Sequence, residues 1–168
     1  MKKLFMFIIM LYGFSFLVLA QESQEKNGLE QKLSAFIVDT VLDKDGKEVE
    51  VFKPATTAKS GQIIEYRYHA KNVSEGIIEN FIPIIPIPTV TTYIDGSATG
   101  GELFMLEFSI DGGESFAAPP LIKTVKNEKG EDVQVEVEPA EYQSVRWKML
   151  GGFQPKQEIN LSFRVRVN

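Results

Sequence analysis

The side chains that could do chemistry in this sequence are few and scattered. His69 is the only histidine, and cysteine is absent. A zinc site takes four His, Cys or carboxylate ligands, so no credible zinc set exists here. A catalytic nucleophile needs a base beside it, and His69 has no Gly-x-Ser-x-Gly or similar motif near it. Asp43-Lys44-Asp45-Gly46 opens like a calcium loop. Such a loop needs a bidentate Glu at its twelfth position, which counted from Asp43 is Pro54. It reads instead as a turn. Asp111 and Glu114 are spaced as a possible carboxylate pair, but an Asp-Gly-Gly turn with a solvated Glu explains them without chemistry. A self-formed amide crosslink would need a buried Lys beside an Asn and a carboxylate. Lys59 and Asn160 are conceivable partners, with no motif to support them. The residues therefore predict no catalytic, cofactor or metal site.

What remains is a surface that binds. Residues 77–88 carry Pro83, Pro86 and Pro88 in a strongly apolar run. Each proline lacks a backbone donor, which excludes a central strand throughout and suggests an edge strand passing into a crossover. Phe81, Ile82, Ile84, Ile85 and Ile87, with Tyr93 just beyond, are the candidate partner surface. Packing across the open end of a sandwich is the plainer reading of the same run, and an exposed patch for a partner is the other; the sequence leaves both open.

These residues must be held by strands. Ile64, Tyr66, Tyr68 and Ala70 alternate with Ile63, Glu65, Arg67, His69 and Lys71, one face dry and the other wet. The last strand repeats the pattern, with Ile159, Leu161, Phe163, Val165 and Val167 inward. Phe104, Leu106, Phe108 and Ile110 form another inward set, and Val145, Trp147 and Met149 a third. Strand-like runs flank Asp45-Gly46 and Asn127-Glu128-Lys129-Gly130, as hairpins require. About nine short strands, within a range of seven to ten, and no helical periodicity predict an all-β, immunoglobulin-like antiparallel sandwich. It should occupy residues 33–168 as one domain, since 168 residues hold one proper core and not comfortably two. Residues 21–32 are polar apart from Leu29 and read as a flexible leader.

The first twenty residues differ in kind. Lys2 and Lys3 precede the apolar run Leu4 to Ala20, and Val18-Leu19-Ala20 supplies the small residues of a signal-peptidase site. Cleavage after Ala20 is expected, giving an exported protein of the periplasm or cell surface with no membrane span in the mature chain. Position 21 is Gln, so no lipid anchor is expected. Without residues 1–20 the chain holds 16 basic and 23 acidic residues, a net charge of −7, in no blocks. Nucleic acid and anionic membranes are poor partners for such a surface.

The segment Thr56 to Asn72, TTAKSGQIIEYRYHAKN, resembles the opening of the "conserved repeat domain" of bacterial exported and surface proteins, catalogued as domain of unknown function 11. Pro86-Ile87-Pro88, Thr92-Tyr93 and Gly96-Ser97-Ala98 resemble its middle motifs, and Val145-Arg146-Trp147 with Pro155 its close. The similarity spans about residues 54–168 as a broken series. It departs at Ile85, where that family often has Asp, and at Val90, where it often has Gly. The stretch between Ile110 and Tyr142 is also longer. The resemblance implies an immunoglobulin-like sandwich with a structural or adhesive role and no active site. The expected function is a non-catalytic module that binds a protein partner in the cell envelope. The alternative is a small-ligand or glycan-binding module, with Tyr93, Phe116 and Tyr142 as its aromatic candidates.

Overall fold

The computed structural model describes residues 24–26 and 28–168. The expected signal peptide, residues 1–20, lies outside the described residues. Among the described residues eleven strands form in chain order: β1 (Gln24–Lys26), β2 (Leu29–Leu42), β3 (Glu48–Pro54), β4 (Ile63–Asn72), β5 (Ile84–Pro86), β6 (Thr91–Tyr93), β7 (Phe104–Ser109), β8 (Ile122–Lys126), β9 (Asp132–Glu136), β10 (Ser144–Met149) and β11 (Glu158–Val167). No α-helix forms among the described residues, only two short 3-10 turns at Gly101–Leu103 and Pro139–Glu141.

Two antiparallel sheets face each other. The larger runs β1-β2-β4-β11-β6, with β3 also on β2, and the smaller runs β5-β10-β7. Between them lie the inward residues that the period of two selects. Ile159, Leu161, Phe163 and Val165 from β11 meet Val145, Trp147 and Met149 from β10, all buried. The Trp147 and Phe163 rings are 6.1 Å apart. Burying this apolar surface is the main source of stability in a chain without disulfides.

Both expected hairpins form. At the first, Asp43 N–H donates to Lys47 O and Gly46 N–H returns to Asp43 O. The Asp43 carboxylate accepts from the Asp45 and Lys47 amides, each at 2.9 Å, so it serves the turn. The second, β8–β9, stands apart as its own two-stranded sheet.

Three expectations need adjusting. The strand expected from Leu33 begins at Leu29 and pairs with β4 from Leu29↔Asn72 onward, while Gln24–Lys26 fold back onto it. Backbone pairing against β4 carries this polar stretch into the sheet without an apolar pattern. Glu65, assigned to the wet face of β4, is buried, because Arg67 and Arg164 close over it with bonds of 2.6 and 2.7 Å. The strand order also departs from the immunoglobulin pattern. Taking β2, β4, β5, β6, β7, β10 and β11 as strands one to seven, the sheets read 1-2-7-4 and 3-6-5. An immunoglobulin constant-type sandwich reads 1-2-5-4 and 3-6-7. The fifth and seventh strands have exchanged sheets, which puts the regular, aliphatic β11 inside the larger sheet, between β4 and β6.

Candidate docking face

The edge strand β5 sorts the candidate residues by parity. Ile87 N–H donates to Gln143 O at 2.8 Å and Trp147 N–H to Pro83 O at 3.0 Å, so the odd residues of this segment bond to β10. Pro86 and Pro88 fall at positions whose amides would otherwise point out from the sheet edge, and their missing donors blunt it. Side chains alternate in step. Phe81, Ile85 and Ile87 are buried in the core, with the Phe81 ring 4.8 Å from that of Phe153. Ile82 and Ile84 are exposed. Tyr93 is also core, its ring 5.0 Å from Phe108 and 5.8 Å from Tyr142. Four of the six candidates are thus packing residues, and two face out.

The register shows what stands beside those two. Ile84 pairs with Arg146, and Arg146 with Glu107. One row further along, Lys148 pairs with Met105, and the same register sets Ile82 on its other side. Leu150 N–H donates to Leu103 O at 2.8 Å, continuing the ladder by one more row. Ile82, Ile84, Leu103, Met105 and Leu150 are all exposed. Five large apolar side chains therefore share the outer face of the small sheet. Leu103, Met105 and Leu150 were missed in the sequence, although an inward Phe104 and Leu106 imply an outward Met105.

Charge on this face is sparse. Arg146 is tied to Glu107 at 2.7 Å and lies over the Phe116 ring, 4.2 Å from its centroid. Lys148 forms no ion pair among the described residues. The centre of the patch is thus one free ammonium ringed by aliphatic side chains, on a protein with an acidic balance.

The residues weighed for chemistry lie elsewhere. The Asp111 carboxylate accepts from the Ser109 hydroxyl at 2.7 Å and from the Ser115 amide and hydroxyl, which hold it far below the usual carboxylate range. Glu114 is exposed beside it. His69 Nδ1 lies 3.1 Å from Asn160 Oδ1 on the outer face of the larger sheet. Asn160 and Lys59 are both exposed, which removes the buried lysine that an amide crosslink needs. Of the aromatics proposed for sugar stacking, Tyr93 and Tyr142 are buried in one cluster with Phe108, and Phe116 covers Arg146. No helix among the described residues is long and apolar enough to cross a membrane.

No family model matches this chain, and no curated protein or solved structure is similar to it at a significant level.

Proposed function

We propose that this protein is a non-catalytic, exported interaction module that docks a protein partner of the cell envelope through the outer face of its small sheet. The observation that carries the reading is the row of Ile82, Ile84, Met105, Leu103 and Leu150 around unpaired Lys148. Scattered exposed aliphatics need no explanation, but five gathered in register on one face of the small sheet and its ends are a concentration of the kind that marks interaction sites. The aliphatic side chains ring a single lysine, so the apolar contact would lie around Lys148 and not over it. The fitting partner presents an aliphatic surface with one carboxylate opposite Lys148. The resemblance to the conserved repeat domain supports the same reading, as does the signal-peptide pattern of residues 1–20. The exchange of the fifth and seventh strands limits the immunoglobulin likeness to its two-layer architecture.

The test is affinity capture from envelope extract of the source organism with the mature chain, residues 21–168. Two variants run beside it: Ile82→Ser/Ile84→Ser/Met105→Ser on the face, and Val41→Ser/Leu42→Ser on the distant β2–β3 hairpin. The reading expects one stoichiometric partner on the wild type and on the hairpin variant. It expects that partner to be lost from the face variant at an unchanged melting midpoint. A partner that the face variant retains, or no partner at all, overturns it.

A further inference from the structure

A second feature lies at the open end of the sandwich, away from the small-sheet face. Beyond Pro88 the chain turns through Thr89 and Val90 into β6, and the connector from β3 to β4 passes opposite. Between them is a cleft of about 580 Å³, within the usual range for small-ligand sites. Ile64, Tyr66 and Val167 from the inner face of the larger sheet line it, together with Ala58, Pro88 and Val90. Thr57, Ser60 and Thr91 add hydroxyls. No charged side chain lines it. A neighbouring groove of about 650 Å³ shares Pro88, Thr89 and Thr91 but includes Lys123 and Glu141, which pair with each other.

Tyr66 is the polar group that the fold leaves unused. Its ring stacks on Phe163 at 5.2 Å and is fixed by that contact. Its phenol has no hydrogen-bond partner among the described residues, and burial alone pushes its pKa up. Tyr68, two residues on along the same face, donates to Gln31 at 2.8 Å. The Tyr66 hydroxyl is not sealed in the core, so it stays open to donate to a molecule in the cleft. Thr89 and Asn168 complete the lining, and a rigid donor on the wall of a cleft with mixed aliphatic and hydroxyl walls is the arrangement that orients a small ligand.

We propose that this cleft binds a small uncharged molecule with an aliphatic ring or chain and one oxygen acceptor, which takes its hydrogen bond from Tyr66. Charged ligands are disfavoured because no charged side chain lines the cleft to repay their desolvation. Sugars are disfavoured because the one aromatic ring that lines the cleft, Tyr66, is already stacked on Phe163.

Cyclohexanone serves as the probe, with benzoate and methyl β-glucoside as contrasts, followed by methyl NMR of the mature chain. Cyclohexanone is expected to shift the methyl signals of Ile64, Val90 and Val167 saturably, with a Kd on the order of millimolar. The two contrasts should leave them in place. Tyr66→Phe keeps the stacked ring and should weaken binding by about fivefold, the loss of one neutral hydrogen bond. Ala58→Trp, at an exposed loop position, should fill the cleft and abolish the shifts without unfolding the sheet. Absence of saturable shifts, equal binding of the glucoside or benzoate, or shifts that survive Ala58→Trp would overturn the proposal. None of these results depends on the protein partner.

Discussion

Ile84 and Ile85 are chain neighbours that stand back to back through the small sheet, Ile84 49% exposed and Ile85 5%. The same side chain, moved by one residue, passes from the docking face to the core. That contrast separates binding from folding in a way that a joint change at Ile84 and Ile87 would not, because Ile87 is also core.

Ile84→Ser should therefore change stability by no more than about 0.5 kcal/mol, as surface substitutions do. Ile85→Ser should cost at least the 2–5 kcal/mol typical of a large-to-small change in a packed core, since it also buries a hydroxyl. Urea unfolding of the two variants measures both. Equal losses would mean that the β5 edge is packed on both faces, and the docking face would then have no basis.

Trp147 gives a second stability prediction. Its indole Nε1–H donates to Thr99 O at 2.6 Å, and Gly100 lies against the ring. A Cβ on Gly100 would sit 2.9 Å from Trp147 Cδ1. The φ of Gly100 is 169°, outside the left-handed range that favours glycine, so the contact with the ring is what opposes a side chain there. Gly100→Ala should cost about 1–3 kcal/mol by overpacking a ring that cannot yield. Trp147→Phe should cost about as much by leaving the Thr99 carbonyl without its donor. The double variant should be less destabilised than the two losses added, because the smaller ring makes room for the methyl. Strict additivity in thermal or urea unfolding would show that Gly100 is not there for Trp147.

Much of this was legible in the residues and some could not be. Period-two alternation in β4, β10 and β11 identified the inward rows, because one face of each strand is dry. Asp-Gly and Asn-x-x-Gly placed the hairpins, because few residues tolerate those turn geometries. Which strand neighbours which is a non-local matter, and nothing in the text of β11 says that it lies between β4 and β6. The patch around Lys148 was invisible for the same reason. Ile82, Met105 and Leu150 are far apart in sequence and become neighbours only through the register of three strands. Glu65 was misplaced because Arg164, ninety-nine residues away, covers it.

Acid and alkali should act on separate groups. Hydrogen bonds from Arg164, Lys123 and Lys71 hold Glu50, Glu141 and Glu158 below the usual carboxylate range, and hydroxyls of Ser109 and Ser115 do the same for Asp111. A depressed carboxylate contributes stability above its unfolded pKa of about 4, and that stability is lost as pH falls through the folded value. These groups are exposed, so the acid loss should be shallow and should fade with salt. Tyr68 has the opposite sign. Burial pushes it up to about 12, while the unfolded chain ionises near pH 10. Its contribution is whole below pH 10 and disappears as pH rises from about 10 to 12. Tyr68→Phe should flatten the fall in melting midpoint over that alkaline window and leave the acid limb unchanged. A residual alkaline slope should persist, since burial also raises Tyr66 and Tyr93. Identical alkaline slopes in the wild type and the variant would show that the Tyr68 phenol is as well solvated in the folded chain as in the unfolded one.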